Sequence, residues 1–174
     1  MCTSVAGLLS LAVLALWVTS SSCIENCHCL EPTHCRHLSA RRRYPVQLFA
    51  FHSGVGIWKH YDWSKITTIV TSGLYDPDLM CHAHAHKARV VTEEPIGKNE
   101  LVDIHLRSSW ISNKLHKTRE RYLDGIHLRF GTVLDATVSA KLPSLIKDIK
   151  TRFTRSIPGS QVKDFTKKFY SVIH

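Results

Sequence analysis

Hydrophobic positions along the chain alternate between short apolar runs and longer stretches with helical spacing. The runs are rich in β-branched and aromatic residues and predict strands at residues 46–51, 66–71, 88–92 and 125–130. Apolar residues at helical spacing predict helices over residues 76–87, 110–123 and 142–153, the last ended by Pro158 and Gly159. Strands that alternate with helices are typical of parallel strands joined by crossover helices. The pattern therefore predicts an α/β fold.

The number of these elements limits the architecture. Together with a short strand start at Gln161 and Val162, they amount to about four and a half β/α units, whereas a complete (β/α)8 barrel takes about 250 residues. We therefore predict an incomplete (β/α)8 TIM barrel that contains about the first four to five units. An open half-barrel would leave unpaired strand edges and one uncovered apolar face, so we expect a marginal, oligomeric or partner-dependent protein.

The start of the chain indicates the cellular route. Residues 1–23 carry no charged side chain and centre on an apolar run at residues 8–18, which is typical of a secretory signal peptide. That run is shorter than the roughly 18 to 20 residues that span a bilayer, and no later segment is apolar enough. We therefore expect a protein of the secretory pathway with no transmembrane segment.

Cysteines are the next informative residues. Cys2 and Cys23 fall within the predicted signal peptide, and the four that follow it are Cys27, Cys29, Cys35 and Cys81. An even number in an oxidising compartment favours disulfides over a metal site, although four cysteines allow three pairings. Cys27 and Cys29 are too close to pair comfortably. Each is expected to reach Cys35, Cys81 or a partner outside this chain.

The formal net charge is +9, so the surface is strongly basic. Arg41, Arg42 and Arg43 form one basic group. A second group extends along the last predicted helix and the C-terminal residues: Lys147, Lys150, Arg152, Arg155, Lys163, Lys167 and Lys168. Such residues could bind a polyanion, either a sulfated glycan or an anionic lipid surface. The favoured interpretation is solvated charge on amphipathic segments. Nucleic acid is not expected as a partner, because no reading module is recognisable.

Histidines raise the question of a metal. His82, His84 and His86 follow Cys81 closely, and on a helix His82 and His86 share a face that could hold zinc or copper. Exposed histidines near a helix C-terminus explain the cluster more simply. His52 and His127 are expected to pack or to line a pocket wall. The sequence therefore predicts neither a metal site nor a cofactor.

The segment at residues 122–131 has the spacing of a known sequence motif. Asp124 matches the first acid of a D-x-x-D-x-D-x-E motif, while His127, Arg129 and Gly131 stand where the motif has a polar or acidic residue, an aspartate and a glutamate. This frame resembles the catalytic strand of family 18 glycoside hydrolases. Short sequence segments that resemble the chitobiase branch of that family occur at residues 27–36, 58–63, 66–68, 79–84, 88–91, 109–111 and 159–162.

The resemblance implies an activity that the site residues contradict. Members of this family cleave by substrate-assisted retention, in which the sugar's own N-acetyl oxygen attacks. A glutamic acid protonates the leaving oxygen, and an aspartate stabilises the acetamido group. Gly131 can do neither, and the permanently charged Arg129 repels the positive charge that develops. We therefore expect no catalytic residue, with Asp124 as a remnant of the motif that accepts local backbone or hydroxyl hydrogen bonds at the start of a strand.

Other residues of the chain could take over the lost roles. Glu93 and Glu94 follow the predicted third strand, and Asp135 lies just beyond the fourth, but solvent-exposed loop charge is the favoured interpretation of all three. Trp58 and Tyr75 follow strands. Together with Asp124, they are the candidate substrate-binding residues.

The resemblance covers roughly residues 26–162 and divides the chain. We expect a signal peptide at 1–23, a cysteine-containing segment at 24–45, a partial glycosidase-like barrel at 46–162 and a divergent tail at 163–174. The favoured hypothesis is a truncated, inactive relative of enzymes that degrade the chitobiose core of asparagine-linked oligosaccharides, located in the lysosome or outside the cell. Its ligand would be chitobiose or another N-acetylglucosamine-containing oligosaccharide, weakly bound or lost. The alternative is a secreted, non-catalytic chitooligosaccharide-binding or basic interaction protein.

Overall fold

A four-stranded parallel sheet forms the centre of the molecule. The computed structural model describes residues 27–38, 47–54, 56–73, 75–130, 135–157 and 160. The strands lie in the order β1-β2-β3-β4, with bounds Phe49–His52, Thr68–Thr71, Arg89–Ile96 and Gly125–Phe130. Every neighbouring pair is parallel. The predicted α/β class with parallel strands is confirmed.

Helices connect these strands. Their bounds are Pro77–Ala85 for α1, Lys98–Val102 for α2, Ile104–Glu120 for α3, Ala136–Ser139 for α4 and Leu142–Ser156 for α5, and 3-10 turns occupy Pro32–His34 and Ile57–His60. The apolar face predicted for the last helix is present, since Leu145, Ile149 and Phe153 are fully buried on α5. Within the described residues, no helix has both the length and the apolar character needed to cross a membrane.

Strand β3 is longer than the sequence predicted. It continues past residue 92 to Ile96, and its second half pairs with β4, placing Glu93 opposite His127 and Pro95 opposite Arg129. The expectation that Glu93 and Glu94 follow the third strand is therefore wrong, because both belong to it. Pairing of β3 with β2 ends at Thr92. Proline is tolerated beyond that point because one side of the strand is no longer paired with β2.

Two buried clusters hold the helices against one face of the sheet. The first gathers residues of the N-terminal segment (residues 27–38), the turn Ile57–His60 and α1, and the second lies between β4, α3 and α5. Ile96, Ile126 and Leu128 belong to the second cluster. Because side chains alternate along a strand, the residues between them point to the opposite face. That face, called the concave face below, carries Phe51, Val70, Val91, Glu93, His127 and Arg129.

The curvature of the sheet follows from a contact between its two outer strands. The ring of Phe51 on β1 meets the ring of His127 on β4 edge to face, with centroids 5.5 Å apart. Neighbouring strands are about 4.8 Å apart, so these strands would be separated by about 14 Å in a flat sheet. Side chains from the two strands converge because the sheet curls toward this face. Such curling is compatible with the wall of a barrel.

Two disulfides fasten the N-terminal segment. Cys27 pairs with Cys35, and Cys29 pairs with Cys81 on α1. Of the pairings that the sequence left open, the structure thus forms the one in which Cys29 joins this segment to the helical layer. Residues 1–26, 39–46, 131–134 and 161–174 lie outside the described residues, and with them the predicted signal peptide, Arg41, Arg42, Arg43, Gly131 and the divergent tail.

The two disulfides should differ in their contribution to stability because they close loops of different length. The sequence separations are 52 residues for Cys29–Cys81 and 8 for Cys27–Cys35. Loop-closure entropy gives about 4 kcal/mol for the long loop and about 2.5 kcal/mol for the short one. Urea denaturation of the Cys29→Ser/Cys81→Ser and Cys27→Ser/Cys35→Ser double variants measures both. A larger loss for the second variant would contradict this explanation.

Candidate functional site

Helix α3 ends in a turn that places Asp124 at the amino end of β4. Tyr122 adopts a left-handed conformation, with φ of 54°, and the N–H of Leu123 donates to the Thr118 carbonyl at 2.9 Å. This arrangement satisfies carbonyls that the last helical turn leaves free. The chain then enters the sheet directly, since the N–H of Asp124 donates to the Val90 carbonyl at 2.7 Å.

Helix α1 ends in the same way and brings β3 to the same edge. Lys87 has φ of 64°, and the N–H of Ala88 donates to the Ala83 carbonyl at 2.9 Å. Two residues later, Val90 lies on β3 beside Asp124. The amino ends of β3 and β4 therefore meet beneath the last turns of their preceding helices.

The carboxylate of Asp124 is buried there, with 3% of the residue exposed, and accepts three hydrogen bonds. Oδ1 accepts from the N–H of Leu38 at 2.6 Å. Oδ2 accepts from the N–H of Val90 at 2.8 Å and lies 2.9 Å from Nε2 of His84. Asp124 thus accepts hydrogen bonds at the start of a strand, but its partners come from distant parts of the chain. No surface of this carboxylate is left to contact a sugar.

His84 completes the network on α1, where only 3% of the residue is exposed. Its Nδ1 lies 2.7 Å from the carbonyl oxygen of His34, and its Nε2 faces Asp124. Since a carbonyl and a carboxylate both accept, both ring nitrogens donate and the ring is an imidazolium. Burial acts to lower the pKa of His84, but the hydrogen bond and charge of Asp124 and the His34 carbonyl outweigh it, so the pKa is raised.

His84 differs from its neighbours His82 and His86 in burial. His84 is not an exposed histidine near a helix C-terminus, because the first core cluster and the N-terminal segment enclose it. His82 and His86 do share a face, with ring centroids 4.4 Å apart. Among the described residues, one group of three possible metal ligands lies close together, namely Cys27, Cys29 and Cys35, and all three sulfurs are in disulfides.

His37 adds a further attachment at the same end of the sheet. Its Nδ1 lies 2.7 Å from the carbonyl oxygen of Leu123. Burial lowers the pKa of His37 more than the nearby Asp124 carboxylate raises it. His34, His37 and Leu38 therefore bind the N-terminal segment across the amino ends of β3 and β4. Enzymes built on parallel barrels place their chemistry at the opposite, carboxyl ends of the strands.

A cationic residue, Arg129, lies at a motif position near the carboxyl end of β4. Arg129 points to the concave face, and its Nε lies 2.9 Å from Oε1 of Glu93 on β3. His127 lies on the same face, where burial lowers its pKa and Glu93 offsets part of that effect. Among the strand residues described on this face, Glu93 is the one carboxylate. Arg129 thus stands at the position where the motif has an aspartate, and it is paired with Glu93.

Glu94 and Asp135, the other candidate replacements for the motif's acids, lie away from the concave face. Glu94 points to the helical side and forms an ion pair with Lys114 of α3, where both side chains are largely buried, so it is not exposed loop charge. Asp135 caps α4 by accepting from the N–H of Val138 at 2.9 Å and binds Lys98 at 3.0 Å. The Val138 hydrogen bond and the Lys98 contact hold the pKa of Asp135 below its usual value. Neither carboxylate lies on the concave face.

The two aromatic candidates for sugar binding are also on the helical side. Trp58 is 4% exposed, and its Nε1 donates to Asp76 at 2.9 Å. Tyr75 donates to the carbonyl of Arg121 at 3.2 Å, and the guanidinium of Arg121 covers its ring at 5.0 Å. Trp58 and Asp124 are therefore too buried to form an exposed binding surface with Tyr75.

An aromatic residue that the sequence prediction missed is exposed on the concave face. Phe51 lies on β1 with 46% of the residue accessible, whereas most large apolar side chains of the sheet are buried. Alternation along the first strand could have identified it, because Phe51 and Phe49 share one face and Ala50 packs on the core.

Comparison with known proteins gives close relatives of one kind. The chain is 39% identical over 140 residues to human di-N-acetylchitobiase, across 79% of this chain and 36% of that protein. It is 35% identical over 158 residues to the Mus musculus protein of the same name, across 90% and 43% of the two chains. The Bos taurus di-N-acetylchitobiase is 38% identical over 140 residues, 78% of each chain.

The extent of these matches differs between relatives. The chain spans less than half the length of the human and mouse proteins, but more than two thirds of the bovine one. No family model matches the chain. No solved structure matches it either.

The Asp124–His84 pair should give stability a distinctive pH dependence. Folding raises the pKa of His84, so its stabilising effect is full below about pH 6.5, the pKa of an unfolded histidine, and is lost as the pH rises through the folded pKa. We expect His84→Gln to lower the free energy of unfolding by about 3 kcal/mol at mildly acidic pH and by less in alkaline solution. Urea denaturation across this range measures the effect.

A matched control is His60→Gln, since His60 is exposed in the turn Ile57–His60. Its effect on the free energy of unfolding should be small, because the side chain is exposed. A penalty for His84→Gln that is constant or grows with pH would show that the ring is not bound as an imidazolium.

Proposed function

The chain belongs to the di-N-acetylchitobiase family, and we propose that it keeps that family's strand framework without its hydrolytic activity. The observation that carries this proposal is the Arg129–Glu93 ion pair on the concave face. Cleavage at an acetamido sugar requires a proton donor beside the leaving oxygen and an anionic group beside the acetamido carbon. At this site the motif's aspartate is replaced by a cation.

The charges on the concave face argue against a substitute mechanism. A guanidinium carries a positive charge, so Arg129 cannot stabilise a positively charged transition state. Oε1 of Glu93 lies 2.9 Å from Nε of Arg129, so one of its carboxylate oxygens is engaged in this ion pair. Gly131, in the position of the motif's glutamate, has no side chain with which to donate a proton. Asp124 lies buried at the other end of the strand.

The proposal extends to the family 18 frame and to an incomplete (β/α)8 barrel over residues 46–162. The parallel order of four strands and the contact of Phe51 with His127 support a curled, barrel-like wall. Two disulfides support a route through an oxidising compartment, and with the apolar residues 1–23 they favour the lysosome or the extracellular space.

A second candidate function is binding of chitooligosaccharide without turnover. The exposed ring of Phe51 favours it, because aromatic faces are good platforms for sugar rings and this one lies on the face that carries Glu93 and Arg129. Chitobiose or a longer N-acetylglucosamine oligomer is the ligand class that the family implies.

Hydrolysis is the first test. We expect the purified chain to release N-acetylglucosamine from chitobiose, or a reporter group from its glycoside, no faster than the blank across the acidic to neutral range. The reason is the lack of both acids that the reaction needs. The assay should include Glu93→Gln. Turnover by the parent chain that disappears in Glu93→Gln would show that Glu93 acts as the acid and that the proposal of inactivity is wrong.

Binding is the second test, with a control on the same sheet. If the concave face binds chitooligosaccharide, Phe51→Ala should weaken chitotriose binding about tenfold, as the loss of one aromatic contact implies. Phe130→Ala removes a ring that is 36% exposed but lies at a helix-facing position of β4, and should leave the affinity unchanged. Calorimetry measures both. Equal effects of the two variants, or no binding at all, would reject this second function.

A further inference from the structure

A basic groove runs between α3 and α5 on the outer surface, on the helical side of the sheet. It has a volume of about 520 Å³, and the residues that matter for its chemistry are His105, Arg107, Ser108, Lys147, Thr151 and Arg152. The concave face lies on the other side of the sheet. The chemistry of this groove is therefore separate from the proposed function.

Arg152 is held in the groove by neutral acceptors. One terminal nitrogen donates to the Ser108 carbonyl at 3.2 Å and to Oγ of Ser112 at 3.1 Å. The other donates to Oγ of Ser108 at 2.7 Å. None of the ion pairs between described residues includes Arg152. The guanidinium is therefore fixed in position by neutral groups, and it has no carboxylate partner in the part of the chain that the structure describes.

The one carboxylate that lines the groove is already paired. Arg107 is 6% exposed, and its guanidinium donates to Asp148 at 3.2 Å, to Ser144 at 3.0 Å and to the carbonyl of Leu101 at 2.5 Å. The negative charge of Asp148 is therefore balanced by the positive charge of Arg107. Lys147 is exposed at the rim and belongs to no ion pair among the described residues. The groove therefore has a net positive charge from Lys147 and Arg152.

We propose that this groove binds an acidic oligosaccharide through its sulfate or carboxylate groups. A pocket of this size accommodates a small molecule or a few sugar rings. Arg152 offers fixed donors for a planar or tetrahedral anion, and Lys147 adds a mobile charge at the rim. Ile104 and Ile111 supply an apolar wall.

The position of the charges favours a glycan over an anionic membrane. Arg152 and Arg107 lie in a recess between two helices, where serine oxygens hold them. A narrow, flexible chain with charged groups can enter such a recess, whereas a flat bilayer surface contacts only residues that project from the protein. Of the basic residues that the sequence places on the last helix, Lys147 and Arg152 line this groove.

Calorimetric titration with a heparin hexasaccharide tests the proposal. Lys147→Gln should weaken binding about tenfold, the loss expected for one charge-assisted contact. Arg152→Lys should weaken it by a similar factor, because lysine keeps the charge but cannot span Ser108 and Ser112. Thermal unfolding of each variant shows whether the fold is intact, and Lys147→Gln, at an exposed position, serves if Arg152→Lys does not fold.

Lys150→Gln is the matched control, since Lys150 is an exposed lysine of α5 that does not line the groove. It should change the affinity by less than about twofold. Equal losses for Lys147→Gln and Lys150→Gln would show diffuse charge and overturn the proposal. So would binding to phosphatidylserine vesicles, weakened by Lys147→Gln, in a protein that does not bind the hexasaccharide.

Discussion

The buried carboxylate of Asp124 is the constraint on which the arrangement of the molecule depends. A buried charge is costly unless hydrogen bonds compensate it fully. The three donors that do so come from the N-terminal segment, from β3 and from α1. Each element must therefore be in place before the carboxylate is satisfied. The disulfide Cys29–Cys81 joins two of the same three elements, so covalent and electrostatic attachments reinforce one another.

This constraint separates the two ends of the sheet. At the amino end the motif's first acid is enclosed and has a structural role that does not require catalysis. At the carboxyl end, Arg129 and Glu93 face each other across β3 and β4. A chain can thus retain the framework of a glycosidase strand while its reactive end takes on a different charge pattern. The family relationship and the proposed lack of hydrolysis are compatible for this reason.

The sequence predicted those parts of the fold that local patterns encode. The four strands and the buried face of α5 followed from periodicity and position, but Asp124 accepts hydrogen bonds from distant parts of the chain and not from the local groups that the sequence predicted. The burial of His84 did not follow from local patterns either, because its partners His34 and Asp124 are distant in sequence. Glu93 and Glu94 were misplaced because Pro95 reads as the end of a strand, although pairing with β4 carries the strand through it. The fixed position of Arg152 likewise depends on serines of another helix.

The state of the His84 ring tests the central claim most directly, because it reports whether Asp124 serves as a buried, ionised anchor. Nitrogen-15 NMR of labelled histidine distinguishes protonated from unprotonated ring nitrogens. If the account is correct, both nitrogens of His84 carry a proton at neutral pH, when exposed histidines are largely neutral. A neutral ring with an unprotonated nitrogen facing Asp124 would contradict the account.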